Sequence, residues 1–153
     1  MNRKPDILIV DDEEIVRRSF SRILSGAECN VKTAWSGEEA LRAMERHPYD
    51  VVLLDLRMPG IDGLAVLKSI KDRWPESEVV VITGFPSLET AKDSVRLGAY
   101  DYLAKPVGPE EVILATHRAV QSKHWALHRE PPDRIGRDSG TNACPAGPGA
   151  CAS

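Results

Sequence analysis

Three times along the chain a run of four apolar residues stops abruptly at a polar side chain. Ile7-Leu8-Ile9-Val10 ends at Asp11, Val51-Val52-Leu53-Leu54 at Asp55, and Val79-Val80-Val81-Ile82 at Thr83. A fourth, mixed run from Tyr100 to Ala104 ends at Lys105, and a weaker one spans about Asn30 to Ala34. Runs this short are strands rather than helices, and runs without polar alternation belong to a sheet covered on both faces.

The segments between the runs carry helical spacing. Val16, Phe20, Ile23 and Leu24 recur at i, i+4, i+7 and i+8 until Ser25-Gly26, which predicts a helix over residues 13–25. Ser36-Gly37-Glu38-Glu39 has the spacing of a capping box, with Ala40, Leu41 and Met44 as the apolar face before His47-Pro48. Met58-Pro59-Gly60 makes a turn before Leu64, Leu67, Ile70 and Lys71, and Trp74-Pro75 closes that helix. Ser87 is an N-cap for a fourth helix running to about Leu97, before Gly98. Pro109 suits a first helical position, Glu110 and Glu111 suit the helix dipole, and Val112, Ile113, Thr116, Ala119 and Val120 continue the inner face to about Trp125. Strands alternating with helices predict βαβ units, hence an α/β fold with a five-stranded parallel, doubly wound sheet and five helices.

Composition narrows the function. A chain of 153 residues, 42% apolar, is the size of one domain that needs no disulfide or metal staple, and residues 5–127 are expected to form it. Residues 130–153 hold four Pro and four Gly and no apolar period, so a disordered tail is expected over 128–153. A net charge of −3 lacks the basic excess that nucleic acid demands. Apolar runs such as Val51 to Leu54 fall far short of the ~20 residues that cross a bilayer, and the first residues lack a secretory pattern. A cytoplasmic location is expected, with no membrane partner. Cysteines at 29, 144 and 151 form neither a disulfide framework nor a zinc motif. Cys29 reads as a small apolar residue beside the second strand, and Cys144 and Cys151 as free thiols. His47, His117, His124 and His128 read as solvated helix positions, although His124 and His128 have the i, i+4 spacing of an adventitious metal pair.

In an open parallel sheet, sites form outside the carboxyl ends of the strands. The residues just past those ends are Asp11 and Asp12, Asp55, Thr83 and Lys105, all expected on one rim. Crowded carboxylates repel unless a cation or proton joins them, and hard oxygen ligands suit Mg²⁺ or Mn²⁺. A carboxylate can also act as a nucleophile toward phosphorus, giving an acyl phosphate. The Lys105 ammonium would then offset phosphoryl charge and the Thr83 hydroxyl would donate to a phosphoryl oxygen. Plainer readings of the same residues are a helix-dipole pair for Asp11 and Asp12, a turn residue for Asp55 and a β-branched strand end for Thr83.

The set resembles the receiver domain of bacterial two-component response regulators, a chemotaxis-regulator-like, flavodoxin-like fold. The matching stretches are Ile7 to Glu13, Val51 to Gly63, Val81 to Gly84 and Gly98 to Pro106, spread over about residues 5–125. The resemblance implies Asp55 as phosphoacceptor, Asp11 and Asp12 as the acidic pocket, and Asp11, Asp12, Asp55 and the Arg57 carbonyl as the metal-holding set, Asp12 being a direct ligand. It implies Thr83 as switch hydroxyl, Lys105 as phosphate partner, Tyr102 as aromatic switch (packing alone being its plainer role) and Lys105-Pro106 as a cis peptide. It also implies a sensor histidine kinase or phosphotransfer protein as donor. Output would come from the face of the fourth helix, fifth strand and fifth helix, with Leu88, Ala91, Tyr100 and Val112 as contacts and self-association as one response. Arg57 and Phe85, two residues past the acceptor and past the switch hydroxyl, offer no group to orient an attacking water, so a long-lived acyl phosphate is expected. The stretches Gly84 to Ala91 and Gly98 to Pro106 look like receivers of activators that carry an ATPase module, which residues 126–153 cannot encode.

Two other classes fit the sequence less well. A small aspartyl-nucleophile phosphohydrolase would want an acid two residues after the nucleophile, where Arg57 stands, and a cap domain. A mononucleotide or flavin domain would want a phosphate-cradling loop after the first strand, where Asp11-Asp12-Glu13-Glu14 would repel phosphate.

Overall fold

The computed structural model describes residues 3–128, with side chains to Lys123. In chain order the elements are β1 (Asp6–Val10), α1 (Glu14–Ser25), β2 (Asn30–Ala34), α2 (Gly37–Arg46), β3 (Val51–Leu54), α3 (Gly63–Arg73), β4 (Glu78–Thr83), α4 (Leu88–Arg96), β5 (Asp101–Ala104) and α5 (Pro109–His128). The five strands form one sheet in the order β2-β1-β3-β4-β5, and every pairing is parallel. The expected five-stranded doubly wound architecture is therefore the observed one.

The unbroken apolar strands serve two cores at once, because successive side chains of a strand point to opposite faces. Leu8, Val10, Val52, Leu54, Val79 and Val81 pack beneath α2 and α3 with Ala40, Met44, Leu67 and Ile70. Ile7, Ile9, Val51, Leu53, Val80 and Ile82 pack on the other face against Phe20 and Leu24 of α1 and Val112, Ala115 and Ala119 of α5. A charged substitution at any of these positions would enter a core on whichever face it fell.

Local chemistry sets the helix starts. Ser36 Oγ accepts from the Glu39 N–H at 3.1 Å, and Ser87 Oγ accepts from the Thr90 N–H at 3.1 Å, so both expected caps are present. The return half of the α2 box differs: Glu39 Oε1 accepts from the Trp35 N–H at 2.8 Å, one residue before the cap. The loop from Asp55 to α3 is closed tightly, since a Cβ on Gly63 would overlap the Leu56 backbone, and Gly60 turns with φ +90. Only glycine fits the first position, and the second favours it strongly.

Val112, expected both on the inner face of the fifth helix and among the contacts of the output face, is interior, so the first expectation holds and the second does not. Val112 is 0% exposed, while Leu114, two residues on, is 51% exposed. Val112 packs with Ala115 and Ala119 against the sheet, as its helical spacing with Thr116 and Ala119 requires, and so cannot meet a partner. Cys29 is buried, and burial pushes its thiol above the usual value despite Lys4 nearby. His47 and His117 are exposed. The tail expected over 128–153 starts one residue too early, since α5 runs to His128; residues 129–153, with the thiols of Cys144 and Cys151, and the side chains of His124 and His128 lie outside the described residues.

Candidate functional site

The parallel order brings the carboxyl ends of β1, β3, β4 and β5 to one rim. Asp11 follows β1, Asp55 follows β3, Thr83 ends β4 and Lys105 follows β5. One carboxylate oxygen from each of Asp11, Asp12 and Asp55 lies within 4.8 Å of the other two. Asp11 and Asp55 are only 2% and 5% exposed, whereas Asp12 faces solvent.

Lys105 joins the two buried acids. Its Nζ donates to Asp11 Oδ2 at 2.8 Å and to Asp55 Oδ2 at 3.3 Å, with Glu13 Oε1 4.0 Å away. The Arg57 N–H donates to Asp55 Oδ1 at 3.2 Å, and the Glu13 N–H donates to Asp11 Oδ1 at 2.9 Å. Asp11 and Asp55 thus share one ammonium and Asp12 adds a third carboxylate beside them, which leaves the cluster short of positive charge. Burial raises the Asp55 carboxyl above its ordinary value and the field of Asp11 adds to it, against the Arg57 N–H and Lys105. Burial works against the Lys105 ammonium, but its bond to Asp11 and the charge of Asp55 outweigh that and hold it above the usual lysine range.

The donor set suits a hard divalent cation. Oxygens bound to octahedral Mg²⁺ at about 2.1 Å stand about 3 Å apart when adjacent and about 4 Å when opposite. A cluster spanning 4.8 Å reaches that shell by side-chain adjustment, and exposed Asp12 leaves an approach for the ion and its waters.

Thr83 is fully buried and its Oγ1 accepts from the Phe85 N–H at 3.2 Å. The Tyr102 ring packs against the α2/α3 core, and its hydroxyl meets Thr90 Oγ1 at 2.6 Å while accepting from the Ser87 N–H at 3.2 Å. Tyr102 therefore ties β5 to the first turn of α4. The Lys105–Pro106 peptide is cis.

Two contacts had no separate signal in the sequence. The Arg57 guanidinium stacks over the Phe85 ring at 4.2 Å, beside a groove shared with Met58, Pro59 and Asp62. Arg17, half-buried in the second turn of α1, donates from Nη1 to the Asp11 carbonyl at 2.8 Å. An arginine on a helix reads as a solvated residue unless the loop it folds back upon is known.

A doubly wound sheet of this order, with paired acids, a third carboxylate and a lysine at successive strand ends, defines a phosphoacceptor domain rather than a nucleotide-binding one. The response regulator receiver domain model matches residues 7–117, and the chain belongs to that family. It is 40% identical over 123 residues to the DNA-binding transcriptional regulator NtrC of Klebsiella pneumoniae, which covers 80% of this chain and 26% of the relative. The solved receiver domain of NtrX from Brucella abortus matches with a TM-score of 0.73 at 39% identity, covering 76% of this chain and 99% of that one. A CheY-like response regulator receiver domain protein from Methanospirillum hungatei JF-1 matches with a TM-score of 0.79 at 27% identity, covering 81% and 99%. The chain spans about a quarter of the length of the curated relatives it matches. As a receiver domain it is a phosphoacceptor module of two-component signalling, a signalling role rather than that of a phosphohydrolase. No helix among the described residues is long and apolar enough to cross a membrane.

Proposed function

We propose that Asp55 is the phosphoacceptor and that a sensor histidine kinase or a phosphotransfer protein is its donor. The observation that carries this is a buried carboxylate facing two further aspartates and one shared lysine, a set short of positive charge. Asp11, Asp12, Asp55 and the Arg57 carbonyl would hold Mg²⁺ or Mn²⁺. When bound, the ion neutralises charge that builds up on the phosphoryl oxygens.

An Asp55 oxygen attacks phosphorus, the bond to the donor imidazole or acetate breaks, and the leaving group keeps the electron pair. Asp11 keeps Lys105 beside the attacking carboxylate, and the ammonium pairs with a phosphoryl oxygen. Thr83 gives up its contact with the Phe85 N–H and donates its hydroxyl to another oxygen. That movement reaches α4 through the loop Gly84 to Ser87 and through Tyr102, which already holds the Ser87 N–H. Output then falls on the α4, β5 and α5 face, where Leu88, Val95, Tyr100 and Leu114 are exposed apolar residues and Ala91 is half-buried. A partner or a second copy of the chain would meet it there.

The functional module is residues 5–127, working in the cytoplasm where a kinase presents its phosphohistidine, with the remaining residues outside it. The net charge of −3 supports a module that does not itself bind nucleic acid. Incubation with acetyl phosphate and Mg²⁺ should add the mass of one phosphoryl group. Asp55→Asn, or wild type in EDTA, should gain none, and a full mass gain in either would overturn the assignment.

A further inference from the structure

Asp11 has every polar atom engaged. Its N–H donates to the Ala34 carbonyl at 3.1 Å, Oδ1 accepts from the Glu13 N–H, Oδ2 accepts from Lys105, and its carbonyl accepts from Arg17 Nη1. Asp12 differs: it is exposed, and its carboxylate has no hydrogen bond to another described residue. Something other than its own side chain must therefore fix where that carboxylate projects.

The two peptide planes on either side of Asp12 do so. A peptide unit is rigid, so fixing its oxygen or its N–H fixes the whole plane. The Asp12–Glu13 plane is pinned by the Glu13 N–H on Asp11 Oδ1 at 2.9 Å. The Asp11–Asp12 plane is pinned by Arg17, whose guanidinium reaches back from α1 to the Asp11 carbonyl at 2.8 Å. The same residue's N–H donates to the Glu13 carbonyl at 3.1 Å, so Arg17 closes the turn with backbone and side chain together.

We infer that Arg17 is a positioning residue for the acidic pocket, holding the Asp11–Asp12 peptide so that the Asp12 carboxylate stands ready for a divalent cation. The inference rests on the proposed metal-assisted phosphoacceptor role. Arg17 itself carries a positive charge, which near a cation site opposes binding. Charge alone thus predicts that removing the guanidinium tightens Mg²⁺ binding, whereas positioning predicts that it weakens it. The two effects have opposite sign.

The test is Mg²⁺ titration, by calorimetry or tryptophan fluorescence, of wild type, Arg17→Met and Arg18→Met. Arg18 is the neighbouring exposed arginine, paired with Glu14 at 3.6 Å, and its loss removes the same charge from the same helix without touching the Asp11 carbonyl. Arg17→Met should bind Mg²⁺ about tenfold more weakly, as expected when a partner that orients a ligand is removed. Arg18→Met should bind as wild type does or slightly more tightly. Phosphorylation of Arg17→Met by acetyl phosphate should recover at saturating Mg²⁺, which a general loss of structure would not permit. Unchanged or tighter binding in Arg17→Met, or equal weakening in both variants, overturns the inference. Should Arg17→Met fail to fold by circular dichroism, Arg17→Gln, too short to reach the carbonyl, serves the same comparison. Wild type that binds no Mg²⁺ would instead sink the phosphoacceptor reading itself.

Discussion

The two ends of the sheet each bury an aspartate, and they treat it in opposite ways. At the amino end, Asp50 precedes β3 and is 7% exposed; at the carboxyl end, Asp55 follows it and is 5% exposed. Asp50 accepts from the Asp6 N–H at 2.7 Å and from Lys123 Nζ at 2.7 Å, with Arg3 at 3.5 Å. Burial pushes its carboxyl up, but the Lys123 bond, the Asp6 N–H and the charges of Lys123 and Arg3 outweigh burial and hold it below the ordinary carboxylate range. Asp55, of similar burial, ends above that range: burial raises it and the field of Asp11 adds to it, against the Arg57 N–H and a lysine that it shares with Asp11. Burial does not separate the two residues; the supply of positive charge does. A carboxylate with its charge matched is a fastening, and one left short of positive charge is the one poised to react.

The signs of the pH dependence follow. Asp50, depressed in the folded state, contributes stability above its unfolded pKa that is lost as pH falls through the folded value. Asp55, raised in the folded state, favours folding at low pH while protonated and opposes it as pH rises through the folded value.

The largest effect should come from breaking the fastening. Asp50→Ala leaves Lys123, only 17% exposed, without its acid and should destabilise the fold by about 3 kcal/mol at pH 7 in urea titrations. A variant within about half a kcal/mol of wild type would mean that the two ends do not differ in this way. Next comes the cation itself: Mg²⁺ at about a hundred times its Kd should stabilise wild type by about 2.7 kcal/mol. Asp12→Ala should show little of that shift in thermal melts, and an undiminished shift would remove Asp12 from the ligand set.

Asp55→Asn should act with the opposite sign to Asp50→Ala, stabilising the unphosphorylated fold by about 1 kcal/mol at pH 7 by removing the repelling charge. The gain should shrink as pH is lowered and the wild-type carboxyl takes up its proton. A stabilisation that stayed constant down to acid pH would point to packing instead of charge. The smallest effect concerns the lifetime of the acyl phosphate. Arg57, stacked on Phe85, and Phe85 itself offer no proton acceptor to an attacking water, so Phe85→Gln or Arg57→Asn should speed phosphoryl loss by about threefold or more. Decay slower than wild type after removal of the phosphodonor would reverse the argument.

The carboxyl-end rim was largely legible because each of its residues stands where an apolar run breaks, and parallel topology then sends all such breaks to one edge. The amino-end fastening was not. Asp50 and Lys123 lie 73 residues apart and neither interrupts a pattern, so only the docking of α5 on the sheet reveals the pair. The same holds for Arg17 on the Asp11 carbonyl and for Arg57 on Phe85, where a long flexible side chain chooses among several reachable partners. Val112 carried two expectations, and its spacing with Thr116 and Ala119 gave the correct one, the inner face, while its reading as a contact residue ignored that spacing. The caps at Ser36 and Ser87 were readable because their partners are three residues away.

Lys105 meets Asp11 across 94 residues of chain and Asp55 across 50, from a strand that pairs with β4 alone at the edge of the sheet. Contacts of such long sequence separation form late, after the loops between them have closed. During synthesis, all five strands and both aspartates emerge before the lysine that joins them. A chain that stops before Lys105 holds both aspartates without the ammonium that joins them and lacks α5 over one face of the sheet, so that chemical readiness itself reports that the last strand and helix are in place.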